Sequence, residues 1–291
     1  MILIVDSGST KTDWIAIDDL GNELFSTKTL GLNPTMLSNE ILSERIKNNF
    51  DIYNNRDKVS KIYFYSAGLG VDSTKQRILK VFKTIFKNSD FDVKEDTYAA
   101  VYSVVDNGTP AIVNILGTGS NCTYYDGNDI LQKVTSLGFI LMDYASGNYY
   151  GKYLIRAYYF NKMSEDLREE FSKKFDLSAN SIKENLYRKE NPNTYLATFA
   201  KFMIDNKSDS YFKDIIEKGI RRFIEYQIMQ FDDYKSVDIH YVGSIGHYLK
   251  DDIIRVGKEY GLNTSKFVKK PIEGLVDYHK RLLITLSLIH I

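Results

Sequence analysis

Residues 4–14 read IVDSGSTKTDW. An apolar run enters from Ile2, stops at Asp6, and gives way to Ser7, Gly8, Ser9, Thr10, Lys11 and Thr12 before a second apolar run begins at Trp14. Short apolar runs bounded by small polar residues predict buried strands, so this stretch predicts a strand, a polar turn and a strand. Asp18–Asn22 then predicts another turn, and Glu23–Leu30 a third strand. Glycine permits close backbone approach to a ligand. Backbone N–H groups and Ser or Thr hydroxyls beside it can form a concave anion site. The same composition also serves an ordinary hairpin for steric reasons alone.

The pattern recurs. Residues 111–130, AIVNILGTGSNCTYYDGNDI, are again an apolar strand, a Gly/Thr/Ser turn, a strand, an Asp-Gly turn and a strand. A spacing of about 110 residues exceeds solenoid repeats and predicts two related domains. A third small-residue turn, GSIGHYL at 243–249, follows a predicted strand at Asp238–Val242. Three such turns, two at corresponding places of a repeat, point to one shared ligand, and a polyphosphate fits. Between them, 35–53, 73–87 and 97–105 have helical spacing, Lys61–Tyr65 and Phe91–Glu95 read as strands, and 146–231 reads as mostly helical. The order of hairpins followed by helices in both halves gives an α/β class.

Composition narrows the function. The 291 residues favour two domains. Lys plus Arg and Asp plus Glu both number 38, so no global basic field exists to hold nucleic acid. Cys122 is the single cysteine, which excludes an internal disulfide or a multi-cysteine metal site within one chain. The four histidines show no ligand spacing. The first apolar run is cut at Asp6, unlike a signal peptide, and no stretch reaches the roughly 20 apolar residues that span a bilayer. The expectation is a cytoplasmic protein with no membrane partner. The apolar tail, 282–291, finds no role.

The better-known phosphate loops do not fit. Gly147–Tyr153 is too short for a P-loop and lacks Ser or Thr after Lys152. Gly117–Cys122 has Cys where a dinucleotide fingerprint needs its third glycine, and a strand follows it.

DSGSTKTDW, LGTGSNC and YVGSIGHYL together resemble the phosphate-1, phosphate-2 and adenosine segments of the actin-like ATPase and sugar kinase superfamily. Within it the chain is similar to N-acetylglucosamine kinases, which share a family with the BadF/BadG/BcrA/BcrD-type ATPases. The likeness runs in order from residue 1 to roughly 280. It implies two related actin-like ATPase (ribonuclease H-like) domains around an interdomain cleft that closes on substrate. Their expected bounds are 1–110, joined by a C-terminal helix at 273–291, and 111–272, with a helical insertion. It implies ATP and Mg²⁺ as cofactors and an amino sugar as the small-molecule partner. A homodimer is a further expectation.

The resemblance also assigns residues. Gly8, Ser9, Thr10, Lys11 and Thr12 would cradle the β- and γ-phosphates, with Gly117, Thr118 and Gly119 from the second turn and Gly243 and Ser244 from the third. Asp6 would hold Mg²⁺ through water; its plainer role is to cap the turn. Asp96 would be the general base on the sugar hydroxyl, and is otherwise a helix N-cap. Asn33, Thr118, Asn121 and Asp143 would bind the sugar, although Asn33 before a proline also suits a plain turn. Cys122 reads as a small buried residue. One motif departs: where the family reads G-D-E-G-S-G, this chain reads Met142-Asp143-Tyr144-Ala145-Ser146-Gly147. The resemblance puts Tyr144 beside the sugar. Two other readings accompany a kinase: an ATPase activating an electron-transfer enzyme, and a sugar sensor without turnover.

Overall fold

The computed structural model describes every residue except Ser9, Thr10, Asn107, His290 and Ile291, with the backbone alone for 285–289. The chain divides into two compact units, Met1–Asp106 with Lys270–Ile291, and Asn107–Lys269.

In the first unit β1 (Ile2–Ser7), β2 (Lys11–Ile17) and β3 (Glu23–Leu30) form an antiparallel meander. Helices α1 (Asn39–Lys47) and α2 (Phe50–Asn55) precede β4 (Lys61–Ser66), α3 (Asp72–Ile85), β5 (Asp90–Glu95) and α4 (Asp96–Val104). The sheet order is β3-β2-β1-β4-β5, with β4 parallel to β1 and β5 parallel to β4. The unbroken apolar run of β1 follows from its central place, covered on both faces. Leu3 and Val5 join Trp14, Phe64 and Phe82 on one side, while Ile2, Ile4 and Ile17 pack on the other. The helical pattern at 35–53 resolves into two helices because Asn49 accepts a hydrogen bond from the Ile52 N–H and starts a new helix.

The second unit repeats this plan. β6 (Ala111–Leu116), β7 (Ser120–Tyr125) and β8 (Ile130–Leu131) are antiparallel neighbours. Five helices follow: α5 (Gly147–Tyr159), α6 (Glu165–Lys174), α7 (Ala179–Tyr187), α8 (Pro192–Asp205) and α9 (Ser210–Tyr226). Then come β9 (Asp238–Val242), α10 (Ser244–Tyr248), α11 (Lys250–Glu259) and β10 (Asn263–Val268). The order β10-β9-β6-β7-β8, with β9 parallel to β6 and β10 to β9, is the first sheet read from its other end. Most of the phenylalanines of 146–231 are core, Phe171, Phe199, Phe202, Phe212 and Phe223 among them. The pattern of the sequence does not reveal β10: NTSKFV is polar, and it forms an edge strand with an irregular register between Thr264 and Phe267.

The chain ends in α12 (Pro271–Ile289), which returns to the first unit and buries Ile272, Leu275 and Val276 with Ile2, Ile4 and Tyr65. Gly274 allows the approach to α4: a Cβ there would lie 2.3 Å from the Ser103 carbonyl oxygen. Among the described residues no helix is long and apolar enough to cross a membrane.

Candidate functional site

In the first unit the carboxyl ends of β1, β4 and β5 lie side by side, with Ser7 beside Ser66 and Ser66 beside Glu95. Ligands of open α/β sheets bind at such strand ends. Asp6 stands there, in register with Asp13 on β2. Burial, then the charges of Asp96 and Asp13, push the Asp6 carboxyl up to about 7, against the pull of Lys11. Asp13 itself is held by Lys11 at 2.9 Å and Lys28 at 3.8 Å. A hydrated cation beside Asp6 would relieve this crowding. Among the described residues no group of three His, Cys, Asp or Glu is arranged to hold a metal by itself. The carboxylate of Asp6 at the strand end fits Mg²⁺ bound largely by water and phosphate.

The turn after β1 begins with the Gly8 N–H donating to the Lys11 carbonyl at 2.9 Å. Ser9 and Thr10, expected at its tip, lie outside the described residues. Thr12 is fully buried; its hydroxyl bonds Ser7 Oγ at 2.8 Å and donates to the Leu30 carbonyl at 3.2 Å. Ser7 Oγ also accepts the Leu32 N–H at 2.9 Å. Thr12 thus frames the turn from inside and ties it to the chain leading to Asn33.

Asn33 is buried, and its Oδ1 accepts the Thr35 N–H at 2.9 Å, so its carbonyl does serve a turn. The turn packs against Gly68, whose φ is +81° and where a Cβ would lie 2.3 Å from Thr35 Oγ1. The Thr35 hydroxyl donates to the Gly68 carbonyl at 3.1 Å. Asp96 is the first residue of α4, and Glu95, not Asp96, occupies the N-cap position, which corrects the capping alternative. Burial and then Glu95 push the Asp96 carboxyl up to about 6, while the N–H groups of Thr97 and of Asp96 itself pull it down.

In the second unit the turn between β6 and β7 is closed by the Gly117 N–H donating to the Gly119 carbonyl at 2.9 Å. A second segment clamps it. The Gly147 N–H donates to the Gly117 carbonyl at 2.8 Å, and the Asn148 N–H to the Thr118 carbonyl at 3.0 Å. Asp143 is buried with φ +67°, and Ala145 has φ +57°; both are left-handed conformations that glycine adopts more easily. Asp143 Oδ2 accepts from Asn148 Nδ2 at 2.7 Å. A Cβ on Gly119 would lie 2.8 Å from the same oxygen, so glycine there makes room for the carboxylate. The sequence motifs give no sign of Asn148, because nothing local links a helix residue to a turn 30 positions earlier.

Asn121, on β7, has its Oδ1 engaged by the Thr123 hydroxyl at 2.9 Å and Gln132 Nε2 at 3.2 Å. Cys122 is buried, and burial pushes its thiol far above the usual range. Gly243 has φ +113°, donates its N–H to the Val268 carbonyl at 2.8 Å, and has no room for a Cβ 2.5 Å from the Leu116 carbonyl oxygen. Ser244 opens the five-residue α10. Tyr144 does not share the direction of Asp143. Its ring packs on Tyr149 and Tyr226 at 5.5 and 5.3 Å, with the Arg222 guanidinium 5.9 Å from its centre.

No protein-family model and no curated protein matches the chain. Solved structures do. Two related α/β units with these strand orders are the fold of actin-like ATPases, in the form found in sugar kinases. A Porphyromonas gingivalis protein provisionally assigned as an N-acetylglucosamine kinase is 28% identical, with 97% of this chain and 99% of that one aligned at a TM-score of 0.90. A Chromobacterium violaceum protein with the same provisional assignment is 15% identical over 95% and 98% of the chains, with a TM-score of 0.71. A ROK-family glucokinase from Streptomyces griseus, solved with glucose and AMPPNP, is 14% identical over 95% and 97%, with a TM-score of 0.59. The last two likenesses establish the fold alone.

Proposed function

We propose that the protein is an ATP- and Mg²⁺-dependent kinase of an amino sugar, N-acetylglucosamine or a close relative, acting at the 6-hydroxyl. The observation that carries this reading is the Asp96 carboxylate at the strand-end edge of the first unit, raised to about 6 and close enough to Asp6 to raise it in turn. The full-length likeness to the P. gingivalis protein supports the sugar class.

Phosphoryl transfer needs positioning and charge stabilisation more than covalent chemistry from the protein. Asp96 accepts the proton of the attacking hydroxyl, and a base with a pKa near the working pH suits that task. Mg²⁺, when bound, neutralises charge on the transferring phosphates. Asp6 would hold it through water, with Lys11 nearby to balance the carboxylates. The turn from Gly8 through Ser9, Thr10 and Lys11 offers amides and hydroxyls to the phosphates, on the frame that Thr12 and Ser7 build. Gly117, Thr118 and Gly119 are the phosphate turn of the second unit in this reading, and Gly243 and Ser244 its nucleoside segment. Asn33 and Asn121 give amides, and Asp143 a carboxylate, to sugar hydroxyls.

An ADP-release assay over a panel of amino sugars, with a no-sugar control, tests the proposal. Sugar-dependent ADP release is expected, greatest for an N-acetylated hexosamine. ADP release independent of sugar would favour an ATPase activator, and sugar binding without ADP release a sensor.

A further inference from the structure

A cavity of about 560 Å³ lies within the second unit. Met142 and Tyr144 line it, whereas the carboxylate of Asp143 between them turns to Asn148. Helix α5 gives the cavity one face, with Tyr149, Lys152, Tyr153 and Arg156 at helical spacing. Helix α9 gives another, with Ile215, Lys218 and Arg222. Among the described residues five cations line the cavity, Lys162 being the fifth, and no carboxylate does. Lys218 is paired with Asp214 at 2.6 Å, and Arg222 lies against the Tyr144 ring. Arg156 and Lys162 belong to no ion pair among the described residues. Lys152 donates to the Phe139 carbonyl; burial pulls its pKa down, against the opposing charge of Asp143, and the Arg156 guanidinium adds to the lowering.

We propose that this cavity binds a small organic phosphate carrying a ring. The volume falls within the range of small-ligand sites, roughly 300–1,000 Å³. The faces of Tyr144, Tyr149 and Tyr153 suit a flat or ring-shaped body. Arginine and lysine together suit phosphate, by bidentate and point-charge bonds respectively. Arg156 and Lys162 stand among like charges and share no ion pair among the described residues, so an anion gains more here than on an evenly charged surface. Two sources share this chemistry, a phosphorylated sugar and a nucleoside monophosphate. The proposal does not depend on kinase activity.

Isothermal titration of the full chain without ATP tests it, with N-acetylglucosamine 6-phosphate, AMP, inorganic phosphate and uncharged N-acetylglucosamine as probes. At least one ring phosphate should bind roughly tenfold or more tightly than inorganic phosphate, and the tighter of the two identifies the source. The Arg156→Ala/Lys162→Ala double variant should weaken that binding at least about tenfold, with binding of uncharged N-acetylglucosamine unchanged. Both positions are exposed, so the fold should survive, and circular dichroism verifies it. Tyr153→Ala should weaken the same ligand through loss of a ring wall. Failure of both ring phosphates to bind, binding indifferent to the double variant and Tyr153→Ala, or equal affinity for inorganic phosphate would each overturn the proposal.

Discussion

Asn148 Nδ2 bridges two acceptors, Asp143 Oδ2 and the Thr118 carbonyl, each at 2.7 Å. One side chain thereby fixes a carboxylate against a glycine turn. Asn148 and Asp143 are both buried, so the bond is shielded from competing water. Asn148→Ala should leave Asp143 without its donor and the Thr118 carbonyl with one partner fewer. The expected cost is about 1–3 kcal/mol of stability. If Asp143 binds the sugar, KM should also rise roughly tenfold while kcat falls less. Thermal melting and steady-state kinetics measure the two effects. Unchanged KM in a folded variant would remove Asp143 from sugar binding.

Asp96→Asn should retain ATP and sugar binding but lower kcat by about 10²–10⁴, the usual worth of a general base. The pH dependence gives a second readout. The base works only when ionised, and its pKa is raised to about 6, so kcat/KM should fall as pH drops through about 6. Residual activity of the Asn variant should lack that limb. A variant with near-normal kcat would exclude Asp96 as the base.

The strands and turns of both units were legible because they rest on local patterns: the four apolar residues of β1, the small-residue turns, and the repeat of the opening at Ala111. Two things were not. β10 is an edge strand whose exposed positions carry Asn, Ser and Lys, so its pattern is that of a loop. The partners of the turns were hidden too, because Asn148 to Thr118, Gly68 to Asn33 and Gly274 to Ser103 are contacts between segments far apart in the chain. Local spacing reveals which residues occur at a strand end, whereas packing decides where each side chain points. Asp143 and Tyr144 are adjacent in sequence yet engage different neighbours.

His279 is buried on α12, stacks on Tyr63 at 3.9 Å and meets the Tyr65 hydroxyl at 2.9 Å. Burial, and then Lys94, lower its pKa from 6.5 to about 3. The unfolded chain therefore takes up a proton here at a pH where the folded protein does not. The stability tied to neutral His279 is complete above about 6.5 and is lost as pH falls toward about 3, with a slope of up to about 1.4 kcal/mol per pH unit. Melting temperatures of wild type and His279→Phe, measured from pH 7 to 4, should converge as pH falls. Parallel curves would refute this coupling.

Gly274→Ala should press a methyl group into the Ser103 carbonyl region at 2.3 Å and force α12 away from α4. Overpacking of this kind typically costs about 1–3 kcal/mol. Chemical denaturation should give a lower midpoint with little change of slope. A midpoint equal to that of wild type would mean that α12 shifts without loss.

Tyr144 replaces the glutamate expected from the family motif, and the resemblance alone would put it against the sugar. Its ring contacts Tyr149 and Tyr226, beside Arg222. Each aromatic pair contributes about 0.5–1.5 kcal/mol beyond its burial. Tyr144→Glu removes both pairs and sets a carboxylate near Arg222, whose attraction at a largely solvated position returns less than about 1 kcal/mol. The variant should therefore melt at a lower temperature. Sugar KM should change by less than roughly threefold, because the Asp143 carboxylate keeps its bond to Asn148. Tyr144→Phe keeps the ring contacts and should match wild type in both measurements. A tenfold or larger change of KM in Tyr144→Glu, with stability intact, would mean that residue 144 meets the sugar directly.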